Sequence, residues 1–392
     1  MILIQNGDIY TPSALGRGDV LIGGGRILHI AEHIDPASLP GKNDLIDAKG
    51  MAVTPGFIDG HQHFTGGGGE GGFHTRTPEM QLSMNFDNGV TTAVGLLGTD
   101  SLTRSVESLY AKTEAFNNEG MTAFMLTGAY WHPSPTVTGS IGRDLTYLRP
   151  VIGLKLALAD TRGPLLTAED LAAMAAEIRV AALVAGKPGI MTIHTGIKEE
   201  RLQLLFMVIK KYGIRADTFI PTHVNRKDLL LQEQVFQLAE MGATADATCL
   251  TEMPTEQDNY LSAADFAVLA DNRGLFDRIT FSSDAGGSMP RWDKERKHIV
   301  GMGIDTPVSL CFELNRLVNT LHMNLEKALK PLTTTPARLY GLQGRKGVIA
   351  AGADGDVLIL DPSAMRIVDV VAGGAIVKRD GCLLKKGYFE QG

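Results

Sequence analysis

The sequence predicts an α/β protein: a (β/α)8 TIM-type barrel carrying a small β-sandwich domain built from both chain termini. Three observations predict it. Through the middle of the chain eight short apolar runs alternate with helical stretches, as in a barrel of about 250 residues or more. Both ends are instead β-rich and broken by Gly and Asp, the texture of a small antiparallel sheet. Several of the chain's rare ionisable side chains close apolar runs, where barrel enzymes keep their chemistry.

Composition narrows the class. The 392 residues allow two or three domains, or one large barrel with an appendage. With 44% hydrophobic and 21% charged residues the chain is not disordered. No run reaches the ~18 consecutive apolar residues of a membrane span. The start, MILIQNGDIYTP, lacks the basic region and apolar core of a signal peptide. Cys249, Cys311 and Cys382 are too few and too scattered for a disulfide framework. A net charge of −7 argues against nucleic acid as the main partner. The expectation is a cytoplasmic protein with neither nucleic acid nor membrane as a partner.

In chain order, MILIQNGDIY and GDVLIGGGRILHIAEHI supply strands of the small domain, whose N-terminal part is residues 1–54. The barrel, 55–345, takes strands from 56–63, 89–97, 121–127, 150–158, 189–194, 217–223, 242–248 and 277–284. Its clearest helix is TAEDLAAMAAEIRVAALVA, with Thr167 as N-cap and acids in the first turn. Thr-Pro pairs near 306 and 335 predict two late helices with Thr as N-cap and Pro at the first helical position. Residues 346–392, with GDVLILD and MRIVDVVAGGAIVKRDG, return to complete the small domain. A doubly wound sheet is the rival, but it carries a Gly-rich nucleotide turn after its first strand; here the first strand ends in HQH.

His61 and His63 close the first barrel strand, Lys155 lies within the fourth, His194 and His223 close the fifth and sixth, and Asp284 closes the eighth. The period of two puts His61 and His63 on one face. Four imidazoles and a carboxylate suit Zn²⁺ or a similar divalent metal. A single strand-end histidine is usually structural; four in this pattern reverse that expectation. Lys155 either snorkels outward or is made anionic by modification, since an unpaired ammonium in an apolar run is costly.

The run Pro55-Gly56-Phe57-Ile58-Asp59-Gly60-His61-Gln62-His63 resembles the first metal motif of the amidohydrolase superfamily, and Gly352-Ala353-Asp354-Gly355-Asp356-Val357 resembles its return into the small β domain. GGGGEGG at 66–72, RTPE, GLLGTDS, LTGAY, TGS, PTHVNR and SSDAGGS together resemble the isoaspartyl (β-aspartyl) dipeptidase family. The resemblance implies two Zn²⁺ or similar divalent metals bridged by a CO₂-derived carbamate on Lys155. His61 and His63 would hold the more buried metal and His194 and His223 the more exposed one. Asp284 would touch the buried metal and a bridging hydroxide, taking the hydroxide's proton as it attacks the amide carbonyl and passing it to the leaving amine. Tyr130 would help stabilise the oxyanion. The implied activity is hydrolysis of isoaspartyl dipeptides, which clears products of damaged protein, and the implied assembly is a homo-oligomer, dimers building to an octamer.

Charge adds a reading of the substrate site. An isoaspartyl dipeptide offers one amine and two carboxylates. Glu70, just after the first strand, is placed to anchor the amine; Arg162 and Arg226 are placed to bind carboxylates through their planar forks. Gly66–Gly69, with Gly68 and Gly69 nearest Glu70, would let backbone N–H groups approach, and Thr99 and Ser288 would add hydroxyls. A cyclic-amide hydrolase and a barrel that has lost its metals are the alternatives.

Overall fold

The computed structural model describes residues 1–255, 258–293 and 299–390. Alternating apolar residues open the chain as β1 (Ile2–Tyr10), β2 (Ala14–Gly23) and β3 (Arg26–Ala31), followed by β4 (Asp44–Asp47) and β5 (Ala52–Pro55). β1 forks. Its residues 2–5 pair in parallel with β4, whereas Asp8 and Ile9 pair with Ala52 and Val53 of β5. The switch falls at Asn6, with φ of 58°, and at Gly7, where a Cβ would lie 2.2 Å from Val53 Cγ2. Only glycine permits that approach.

The barrel is β6 (Phe57–Gln62), β7 (Val90–Gly95), β8 (Thr122–Gly128), β9 (Val151–Leu158), β10 (Ile190–Thr195), β11 (Phe219–Thr222), β12 (Ala245–Thr248) and β13 (Ile279–Ser282). The eight run parallel in sequential order. His63 N–H donates to Ala285 O at 2.7 Å and brings the last strand back to the first. Strands in such a barrel are covered on both faces, which is why these runs are apolar without strict alternation. Ile58, Val94, Leu126, Ile152, Ile190 and Ile220 pack inside, with Tyr340 against them.

Helix Ala168–Ala185 shows how local sequence sets the outer layer. The Thr167 side chain accepts from Asp170 N–H and Asp170 accepts from Thr167 N–H, a reciprocal cap; Gly186, at φ 65°, ends the helix. Leu171, Met174, Ala175 and Ile178 bury one face. Removing the Thr167 hydroxyl should cost about 1 kcal/mol. The two late helices differ from expectation. Val308–Asn315 begins one residue beyond Pro307, and Thr334–Leu339 begins before the Thr335-Pro336 pair, leaving Pro336 at its third position. Proline fits anywhere in the first turn, where its missing N–H has no intrahelical acceptor.

After a hairpin, β14 (Ser288–Trp292) with β15 (Ile299–Ile304), the chain returns as β16 (Val357–Asp361), β17 (Arg366–Ala372), β18 (Ala375–Arg379) and β19 (Cys382–Leu383). β16 pairs antiparallel with β5, so both termini share one nine-stranded sheet. It folds round a core that joins Ile4, Ile22 and Val53 to Val357, Ile359 and Val371. Among the described residues no helix is long and apolar enough to cross a membrane.

Candidate active site

The strand ends of the barrel bring the histidines together. Ring centroids lie 5.6 Å apart for His61 and His63, 5.0 Å for His61 and His223, and 4.8 Å for His194 and His223. Asp284 Oδ1 lies 3.0 Å from His63 Nε2 and 3.3 Å from His61 Nε2. The backbone at His223 and Asp284 is left-handed, with φ of 60° and 53°. Non-glycine residues held this way cost of order 1 kcal/mol or more and concentrate at functional sites.

Partners behind each ring assign its tautomer. Thr222 Oγ1 donates to Asp246 at 2.7 Å, so it accepts from His61 Nδ1 at 3.2 Å. His223 Nδ1 lies 2.7 Å from Thr248 Oγ1. The Thr222 link therefore leaves His61 with an unprotonated Nε2 turned to the site. His194 is reversed: its Nε2 donates to Asp160 at 3.0 Å, and its Nδ1 accepts from the Tyr130 hydroxyl at 2.6 Å. Burial lowers His61 and His223 well below the ordinary histidine range, and the positive charges around them add to it. His194 is pushed down to about 4, again mainly by burial. Neutral imidazoles with oriented lone pairs are metal donors. His61, His63 and Asp284 already place one ligand atom each within 4.8 Å of one another, so this donor set fits a divalent cation.

Lys155 does not snorkel. It is fully buried, with Nζ 3.4 Å from His61 Nε2, and no carboxylate among the described residues forms an ion pair with it. Burial pushes its amine down to about 7, with Asp284 and Asp246 opposing. A free-base amine is the form that adds CO₂, so the side chain is suited to become a carbamate. It shares a face of β9 with Gly153 and Ala157, which pair with Ile190 and His194 of β10.

Around this cluster stand the groups expected to meet substrate. Tyr130 is buried, and burial raises its phenol above the ordinary tyrosine range while the nearby Arg162 charge and Thr99 hydroxyl oppose. Arg162 lies over the Tyr130 ring, 5.8 Å from its centroid. Glu70 Oε1 is 3.3 Å from Arg162 Nη1, so the anticipated amine anchor and carboxylate binder meet as a pair at the mouth. Gly68, Gly69, Glu70 and Thr99 border a cavity of about 200 Å³, and Ser288 packs on Gly68, where a Cβ would lie 3.0 Å from its own. The glycine loop is braced: Arg104 donates to Thr65 O, Gly67 O and Thr77 O, and a Cβ on Gly66 would lie 2.5 Å from Thr77 O. Arg226 stacks 4.9 Å from the Tyr260 ring centroid, and its Nε is buried with no partner among the described residues.

Sequence reasoning missed Asp160. One of its oxygens accepts from both His194 Nε2 and Arg162 Nη2, and the other accepts from Arg162 N–H and Nε. Burial alone would raise this carboxyl; the His194 and Arg162 hydrogen bonds outweigh it and hold the group below the usual range. Its signal was an acid two residues before Arg162, just past an apolar strand. Asp246 and Asp59, buried and pushed up to about 6 by burial, were also missed as supports, as was Tyr260.

A model of the amidohydrolase family matches residues 262–379. A solved β-aspartyl dipeptidase from Fervidobacterium islandicum AW-1, in complex with β-Asp-Leu dipeptide, is 37% identical and covers 97% of each chain, with a TM-score of 0.89. A dihydroorotase from Streptococcus pneumoniae is 24% identical over 94% of this chain and 92% of its own. An L-hydantoinase from Arthrobacter aurescens shares the fold, with a TM-score of 0.68, 18% identity and coverage of 99% and 98%.

Proposed function

This chain belongs to the β-aspartyl dipeptidase family of the amidohydrolases, a hydrolase family, and from that premise we propose that it cleaves the isoaspartyl bond of dipeptides. The observation that carries the reading is Glu70 paired with Arg162, which shares Asp160 with His194, together with Arg226, whose charge is felt at His194 and His223. Glu70 offers an anion to the one ammonium of an isoaspartyl dipeptide, and Arg226 and Arg162, the latter already held by Asp160, offer guanidinium donors to its two carboxylates.

His61, His63 and Asp284 would hold one divalent metal and His194 and His223 the other, with a carbamate on Lys155 completing the ligand set. When bound, the metals lower the pKa of a water and polarise the scissile carbonyl. The remaining steps belong to side chains. Glu70 takes the substrate ammonium and Arg226 a carboxylate, while Arg162, held by Asp160, takes the other. Tyr130 stays protonated at neutral pH, so its hydroxyl donates to the carbonyl oxygen as that oxygen gains charge. Asp284 accepts the proton of the attacking water and returns it to the amide nitrogen as the C–N bond breaks, giving free aspartate and the second amino acid.

Dihydroorotase similarity supports a second reading, ring opening of a cyclic amide. Dihydroorotate carries a carboxylate for an arginine but no ammonium for Glu70. Turnover of isoAsp-Leu, α-Asp-Leu, dihydroorotate and hydantoin, with metal content measured on the same preparation, separates the readings. Cleavage of isoAsp-Leu alone is expected; dominant ring opening would replace the proposal.

A further inference from the structure

We propose that the opposite end of the barrel carries a second binding site, for a small multivalent anion bearing phosphate or carboxylate groups. A cavity of about 450 Å³ opens there, bordered by Arg179, Lys187, Arg215, Arg278 and Arg338 with Asp217 as its one acid. Its walls include Ile190, at the start of β10, Thr218, just before β11, and Thr244, just before β12. It therefore lies below the strands whose other ends carry His194 and His223, roughly 13 Å away along β10 at ~3.3 Å per residue.

The cations are a surplus, not a set of internal pairs. Arg215 is the one that is matched, donating Nε to Asp217 at 2.9 Å. Arg278 donates Nη1 to Gly242 O at 3.0 Å and Arg338 donates Nη2 to Asp277 O. Each spends one donor on a backbone carbonyl and has no ion pair among the described residues. Asp277 itself is paired with Lys330, at 2.9 Å. Arg179 has no hydrogen-bond or ion-pair partner among the described residues. Lys187 contributes charge rather than donors, because Leu145 O, Leu148 O and Val151 O take its ammonium at 2.7, 2.6 and 2.9 Å. Burial and then the Arg278 charge lower Arg338 from its ordinary value, with the Asp277 carboxylate opposing. Four cations without a salt bridge among the described residues, Arg179, Lys187, Arg278 and Arg338, share one cavity and one lining acid, Asp217, an excess that fits a ligand with several negative charges. Guanidinium forks accept phosphate and carboxylate alike. Leu183, Pro188 and Leu339 give the cavity apolar walls as well, so it is wide enough for a charged group attached to a small body.

The test is calorimetric titration of the full chain with inorganic pyrophosphate and, separately, citrate, at low and high salt. Saturable binding of either, weakened by salt, is expected; the preferred anion tells phosphate from carboxylate chemistry. Arg278→Ala with Arg338→Ala should weaken it by about tenfold or more while leaving dipeptide hydrolysis intact, which also shows that the variant folds. Arg179→Glu, at an exposed and unpartnered position, should weaken it too and does not disturb packing. Absence of binding by both anions at millimolar concentration, or binding unchanged in both variants, overturns the proposal.

Discussion

Thr222 reaches from the end of β11 to His61, its hydroxyl oxygen 3.2 Å from the Nδ1 that faces away from the site. Because that hydroxyl already donates to Asp246 at 2.7 Å, it accepts from His61 and keeps Nε2 unprotonated. Asp246 is itself tied to Thr280 and Ser282, so three neighbouring strands orient one imidazole. Thr222→Val keeps shape and removes the link. We expect metal affinity to fall roughly ten- to a hundredfold with the fold intact, as read by competition with a chelator. Unchanged affinity would mean that His61 is oriented without Thr222.

Lys155 is expected to make the metal-free, CO₂-free protein pH-sensitive. Its folded pKa is about 7 against an ordinary 10.5. Between those values the unfolded chain holds a proton that the folded chain lacks, so stability rises with pH across that window, by up to about 5 kcal/mol. Lys155→Met should abolish this part of the slope. Urea unfolding at both ends of the window, wild type against variant, checks it; parallel curves would mean that the amine stays charged when buried.

Lys155→Ala in the loaded enzyme should lose metal and activity together, with partial rescue by a short carboxylic acid. Elemental analysis is the readout, and full occupancy in the variant would remove the lysine from the metal centre.

Asp160→Asn releases Arg162 and weakens the hold on His194 Nε2 at once. The expected result is a raised KM together with a lowered kcat, and a fall of roughly ten- to a hundredfold in affinity for metal. A change in KM alone would confine Asp160 to holding Arg162.

Glu70→Gln should retain metal but lower kcat/KM for isoAsp-Leu by roughly ten- to a hundredfold, about 1.5–3 kcal/mol. An N-acetylated substrate, which has no ammonium, should be affected much less. Equal losses on both substrates would show that Glu70 acts by holding Arg162, 3.3 Å away, instead of binding the amine.

Much of this protein is legible in its residues one at a time. Eight apolar runs with helices between them call for a parallel sheet covered on both faces, the HQH that ends the first run favours a barrel over a doubly wound sheet, and β-rich ends too short for separate cores are best paired with each other. Strand-end placement singled out His61, His63, His194, His223 and Asp284 because a histidine at the end of an apolar run is visible without coordinates. What the tertiary structure decided is direction and partnership. Alternation puts Lys155 on the face of Gly153 and Ala157, opposite the leucines, but with both faces of a barrel strand covered it could not say which of them lines the interior. Nor could it show that Asp160 serves His194 and Arg162 together, or that Thr222 and Asp246 stand behind His61. Apart from Asp160 and Arg162, two positions apart, those links join residues 24 to 161 positions apart, and hydrogen bonds of a few ångströms across such separations exist only once the barrel has closed.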